Sequence, residues 1–210
     1  MPHSQSFDAI VLKTYDVGEA DRLCVLFTRE RGRLLARASG ARRLNSKLGG
    51  SLLPFSHLTV ELKEGSAGWI VCGVSGERGE WKQRISQFAA LEEGIELLLR
   101  LVTDEGTLPD VFDATLTFMD ACRADHEHAV LGYSFCLLHA LGFLPGEEEM
   151  ANFQELNPAE HAYIRTCRLG ELTQPDSSCN VGQLNALRLF ILEEQLLSPL
   201  KAGDVVLAMR

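Results

Sequence analysis

No two cysteines in this 210-residue sequence form a CxxC pair; Cys24, Cys72, Cys122, Cys136, Cys167 and Cys179 are scattered singly. A structural zinc site needs closely spaced ligands to close a tetrahedron, so no metal ligands are expected. Most of these thiols lie between apolar neighbours (LCVLF, VCG, FCLL) and are expected to behave as small hydrophobes in a reducing compartment. No apolar run approaches the ~20 residues of a membrane span. The amino end, MPHSQSFDAIVLK, lacks a charged start, an apolar stretch and a cleavage site. The expected address is the cytoplasm, with no membrane partner. There is no GxxxxGK[ST], no GxGxxG after a strand, no GxSxG and no HExxH. No catalytic residue, cofactor or enzymatic activity is expected, and the sequence reads as that of a binder. Aromatic residues make up only 7% of the chain, which leaves few side chains for stacking.

What is abundant is charge, unevenly placed. The chain carries a net −9. Residues 1–84 hold 13 Lys+Arg against 9 Asp+Glu, whereas residues 85–210 hold 7 against 20. Within 22–47 there are eight cations (Arg22, Arg29, Arg31, Arg33, Arg37, Arg42, Arg43, Lys47) and one acid, Glu30. Such a block has the footprint of a polyanion-binding surface, although a solvated basic face has the same composition.

The first half has the period of strands. Residues 8–14 (DAIVLKT), 22–28 (RLCVLFT), 33–39, 57–63 (HLTVELK) and 69–75 (WIVCGVS) are short, β-branched or alternating, and turn signals divide them. In the fourth, Leu58, Val60 and Leu62 are expected inside and Thr59, Glu61 and Lys63 outside. Five short antiparallel strands imply a barrel, because a small open sheet would leave its edges unpaired. The longest insertion, between strands three and four, is ASGARRLNSKLGGSLLPFSHL (38–58). That order is the oligonucleotide/oligosaccharide-binding (OB) layout, which binds single strands in a cationic groove assisted by stacking. Arg22, Arg33, Arg37, Arg42, Arg43 and Lys47 are the expected DNA-binding residues, contacting phosphate rather than reading bases. Gly49 and Gly50 are expected where the backbone turns sharply or approaches closely. Phe55, His57 and Trp69 are stacking candidates, and for Phe55 and Trp69 the core is the other reading.

From Trp81 the period becomes helical. Phe88, Leu91, Ile95, Leu98, Leu99 and Val102 form one face, with Glu92, Glu93 and Glu96 expected opposite. Pro109 opens a helix over 111–123, and a third is expected over 127–142, with His139 in the core or at its boundary. GEEEMANFQEL (146–156) is irregular or marginally helical, Asn157-Pro158 caps a short helix, and 181–196 forms the last, stopped by Ser198-Pro199. The expected architecture is α+β: an OB-fold domain over 1–80 and a helical domain over 81–210.

The composite string GEADR…LFTRERG (18–32), GARR…SKLGG and LLPFSHLTVEL resembles one bacterial family, the recombination mediator RecO. About 55 residues match closely, with weaker similarity in LLHALGFLP (137–145) and LRLFILEEQLLSPLKA (187–202). The resemblance implies an amino-terminal OB domain and a carboxy-terminal helical domain, and a nucleoid-associated cytoplasmic location. It implies binding to single- and double-stranded DNA, annealing of complementary strands and, with RecR, help in loading RecA onto DNA coated by single-stranded-DNA-binding protein (SSB). RecF would take part only indirectly. It further implies that the helical half receives the acidic, phenylalanine-ended SSB tail. Arg123, Arg165, Arg168, Arg188 and Lys201 are the cations available there, and Arg123 equally suits the dipole of its own helix. Many members carry a four-cysteine zinc module after the segment matching LGFLP; here acids and amides stand in its place. The alternatives are a generic OB-fold RNA-binding module or translation-associated adaptor, and a scaffold with an incidental basic face.

Overall fold

The structure, a computed structural model, describes residues 4–76, 84–103, 106–151 and 156–195. It divides into two compact units, Met1–Lys82 with Val102–Phe112, and Gln83–Leu101 with Asp113–Arg210.

The first unit is a closed five-stranded barrel. Its strands are β1 (Gln5–Val17), β2 (Asp21–Thr28), β3 (Gly32–Ala38), β4 (His57–Gly65) and β5 (Gly68–Ser75), in the order β1-β2-β3-β5-β4. β4 pairs with β1, and a short parallel pairing of β3 with β5 completes the closure. Period-two alternation decides what fills it: Cys24, Leu26, Leu34, Ala36, Leu58, Val60, Leu62 and Val71 are buried on inward positions. Thr59 and Glu61 point out as expected, and Lys63 is half-buried. β1 is longer than its apolar run, because a bulge between Val11 and Lys13 resets its register and lets it continue to Val17.

The segment after the first helix returns to the barrel. Gly32 has φ +66°, and a Cβ there would stand 2.1 Å from the carbonyl oxygen of Gly106, so only glycine fits this β2–β3 turn. Gly106 donates its N–H to Arg31 O at 3.1 Å, and Thr107 donates its hydroxyl to Glu30 O at 2.9 Å. Phe112 closes the contact, its ring 5.8 Å from that of Phe27 and 6.0 Å from that of His57, with the Arg29 guanidinium over it.

The second unit is helical: α1 (Ile85–Leu101), α2 (Pro109–Arg123, from Asp113 onward), α3 (Ala129–Ala140), α4 (Glu147–Ala151), α5 (Pro158–Arg168) and α6 (Val181–Gln195). α3 is buried at Ala129 and from Leu131 to Leu138, as a helix apolar on every side must be, and it packs against α1, α5 and α6. Tyr133 stacks on Phe118 with centroids 4.2 Å apart, and its hydroxyl reaches Thr115 Oγ1 at 2.8 Å. Asn157 and Glu160 form the capping box of α5. Glu160 also accepts from Asn180 N at 2.9 Å, which explains a fully buried carboxylate.

Four side chains depart from expectation. Glu93 lies inside rather than on the solvent face of α1, where it meets Arg188, while Phe88 of the expected apolar face is 48% exposed. His139 is exposed at the end of α3, since the buried stripe stops at Leu138. Cys72 is exposed because it occupies an outward position of β5. The expected stop at Ser198-Pro199 and residues 152–155 of GEEEMANFQEL lie outside the described residues, as does Lys201.

Candidate nucleic-acid interface

The loop between β3 and β4, residues 39–56, is held to the barrel by arginines of β2 and of the loop itself. Arg22 reaches from the start of β2 to donate to Leu52 O at 3.1 Å and Gly49 O at 3.3 Å. Arg42 donates its backbone N–H to Ala20 O and its Nη1 to Gly18 O, both at 2.9 Å. Asp16 lies beside both, 3.7 Å from Arg22 Nε and 3.4 Å from Arg42 Nε. Asp21 accepts from Arg37 Nε and from Gly40 N, each at 2.8 Å. The Gly40 N–H, followed by the Arg37 guanidinium, holds the Asp21 carboxyl below the usual carboxylate range.

Apolar anchors complete the loop. Ala41, Leu52 and Phe55 are buried, and the Phe55 N–H donates to Val11 O at 2.7 Å beside the β1 bulge. Phe55 takes φ 64°, a strained conformation for a bulky residue that its burial and this hydrogen bond sustain. A Cβ on Gly49 would lie 2.0 Å from Ala41 O, so the loop closes on itself through a glycine. Gly50 has open space around its Cα.

The six expected DNA-contacting cations therefore separate by surroundings. Arg22, Arg37 and Arg42 share Asp16 and Asp21, which flank the β1–β2 turn, and order the loop. Arg43 and Lys47 stand exposed on its outside, and Arg43 acts on Asp21 through its charge, after Gly40 and Arg37. Arg33, on the outward face of β3, donates to Thr103 O. Of the stacking candidates, Phe55 and Trp69 belong to the core; Trp69 packs edge-on against Phe7 at 5.7 Å. His57 is tied to Asp8 Oδ1 at 2.6 Å.

The exposed apolar side chains of the barrel are instead Tyr15, Leu35 and Ile70. Leu35 and Ile70 hold outward positions on β3 and β5 that strand alternation specifies. Tyr15 falls beyond a first strand ended at residue 14, and nothing local signals the bulge that extends it.

In the helical unit, Arg188 is buried and donates to Glu93 and Ser134, so its charge is already compensated. Arg123 pairs with Asp120 one turn back and is 39% exposed. Arg165 and Arg168 line a pocket with His161, Met150 and Ile164. Arg168 is anchored by Pro145 O and lies 3.4 Å from His139 Nδ1, whose pKa is lowered by partial desolvation at the end of α3 and then by that charge.

The four-cysteine zinc module does not fit these residues. Cys136 and Cys167 are buried, with the Cys136 thiol directed at Cys167 O at 3.0 Å, and His139, one turn on from Cys136, is exposed. Burial pushes the Cys122 thiol up to about 12. Among the described residues no group of three or more His, Cys, Asp or Glu side chains could hold a metal. Among them, too, no helix is long and apolar enough to cross a membrane.

A closed five-stranded barrel with an ordered, cation-bearing insertion between its third and fourth strands defines an OB-fold protein. Residues 1–69 match the family model described as Recombination protein O N terminal. The chain is similar to the DNA repair protein RecO of Nocardioides sp. (strain ATCC BAA-499 / JS614), with 52% identity over 58 residues, 28% of this chain and 24% of the relative. Against DNA repair protein RecO of Anaeromyxobacter sp. (strain K) the identity is 31% over 146 residues, 65% of this chain and 56% of the relative. Against that of Myxococcus xanthus (strain DK1622) it is 33% over 144 residues, 66% and 59%. The chain carries the RecO amino-terminal domain over residues 1–69 and is similar to RecO proteins over about two thirds of its length. It spans less than two thirds of the length of these relatives.

Proposed function

We propose that this protein is a non-enzymatic recombination mediator of DNA repair that binds DNA through its barrel. One observation carries the reading: Arg22 and Arg42 pin the β3–β4 loop, and Arg43 and Lys47 on that loop are exposed to solvent. Cations held on an ordered loop contact phosphates of any sequence, single- or double-stranded, and shield two strands as they approach one another. Annealing follows from that shielding. The names of the relatives support the DNA-repair setting; a bacterial cytoplasm, at the nucleoid, is the location that this reading implies.

The partners belong to the same reading. With RecR, and with RecF indirectly, the protein would help RecA load onto SSB-coated single strands. The acidic, phenylalanine-ended SSB tail would dock on the helical unit. Among the tail candidates, Arg165 and Arg168 combine with the apolar side chains of Met150 and Ile164, the pairing that a carboxylate beside an aromatic ring requires.

The test is annealing of complementary DNA strands coated with SSB. Wild type should accelerate pairing, and Arg42→Ala/Arg43→Ala should lose most of that acceleration. A generic RNA-binding adaptor or a scaffold would leave the pairing rate unchanged, and so would sink the reading.

A further inference from the structure

Tyr15, Leu23, Arg37 and Ile70 occupy one transverse register line of the barrel. Tyr15 pairs with Leu23, Leu23 with Arg37, and Arg37 with Ile70, across β1, β2, β3 and β5. The next line, Cys24, Ala36 and Trp69, is buried in the core. By alternation the first line points outward. Tyr15 is 48% exposed, Ile70 39%, and Leu35, two residues along β3 from Arg37, 54%.

Single exposed apolar residues are ordinary on a protein surface. These three stand among cations. Lys13 Nζ lies 5.7 Å from the centroid of the Tyr15 ring, and Arg33 and Arg37 flank Leu35 on the same face of β3. The cationic loop is fastened at the same end of the barrel, since Arg42 binds the carbonyls of Gly18 and Ala20, just beyond Tyr15. Acids are present as well, but Asp16 and Asp21 are engaged by Arg22, Arg42 and Arg37; Glu19 is the third acid of that turn.

We propose that this outward line is a base-contacting platform for an unpaired nucleic-acid strand. It rests on the nucleic-acid reading above and adds to it a source of strand preference. The loop cations contact phosphate, which single strands and duplexes share. A phenol ring, a guanidinium and two aliphatic side chains meet base faces, which a duplex hides in its stack. A strand crossing the sheet along this line passes three strand spacings of about 4.8 Å each, room for only a few bases. The platform has no hydrogen-bonding code for base identity, so it favours single strands without favouring a sequence.

The experiment uses the full chain and three ligands of equal length at one salt concentration: oligo-dT, the same backbone with abasic residues, and a duplex. Wild type should bind oligo-dT about tenfold more tightly than the abasic strand, the range for one or two base-stacking contacts. Tyr15→Ala/Ile70→Ala should bring oligo-dT down to the abasic value, while duplex binding and the salt slope stay as in wild type. Tyr15→Phe should retain the preference. Ile70→Lys adds charge while removing an aliphatic contact, so it should tighten abasic and duplex binding and still narrow the preference. It reads the platform independently if the double variant is unstable. A Tyr15→Ala/Ile70→Ala protein that keeps the preference, or that weakens on all three ligands alike, overturns the platform. Wild type binding the three equally overturns it too, leaving the nucleic-acid reading intact. Wild type binding none of them is the distinct failure of that underlying reading.

Discussion

Glu93 of α1 and Arg188 of α6, 95 positions apart in the chain, meet with 3.0 Å between Oε1 and Nη2 in the interior of the helical unit. Their side chains are 8% and 10% exposed, and Arg188 Nη1 also donates to Ser134 Oγ at 3.3 Å. Each charge is tolerable there only because the other is present. Arg188→Ala should therefore destabilise the protein by about 3–5 kcal/mol, because it leaves a buried carboxylate unpaired. Replacing both residues by methionine should cost much less. Urea unfolding of the single and double variants measures the difference, and equal losses would mean that the pair is not coupled.

Arg43 and Lys47 should act on binding and hardly at all on stability. Replacing both by alanine removes two phosphate contacts and should lower the slope of log affinity against log salt by about 1.4 on single strands. The loss should be the same for every DNA sequence. Arg22→Ala should differ in kind: it frees the carbonyls of Gly49 and Leu52 and should cost stability of about 1–3 kcal/mol. Oligonucleotide titrations over a salt series, with thermal melts alongside, separate the two behaviours. An unchanged slope in the Arg43/Lys47 variant would remove those residues from the interface.

Adjacent glycines in the loop should respond oppositely to alanine. At Gly49 the new methyl would meet a backbone oxygen 2.0 Å away, whereas at Gly50 it would meet nothing within 4 Å. Gly49→Ala should cost about 1–3 kcal/mol, and Gly50→Ala should stay within about 0.5 kcal/mol of wild type. Equal unfolding midpoints for the two would contradict the close approach of Gly49 to Ala41.

The lowered pKa of Asp21 makes the loop acid-sensitive. A carboxyl depressed in the folded state contributes stability above its ordinary range, and that contribution disappears as pH falls through the depressed value. Asp21→Asn should then be less stable than wild type near neutral pH, and the two should converge at pH values below the usual carboxylate range. Parallel curves of unfolding midpoint against pH would show that Gly40 and Arg37 do not favour the ionised form.

Local pattern was sufficient for much of this protein. Alternation in HLTVELK placed Leu58, Val60 and Leu62 inside a barrel, and the apolar circumference of α3 put it at the centre of the helices, because both properties are set by residues within a few positions of one another. The cations of 22–47 were equally legible by composition, but their division of labour was not. Whether an arginine orders a loop or faces solvent depends on carbonyls and carboxylates supplied from elsewhere: Gly49 and Leu52 for Arg22, Gly18 for Arg42, Asp21 for Arg37. Tyr15 reached the surface of β1 through a bulge, and Glu93 went inside α1 because α6 brought it a partner. Periodicity reports which face of an element is apolar. What that face, or a charge on it, meets is decided by packing between distant segments, and only the tertiary structure supplies it.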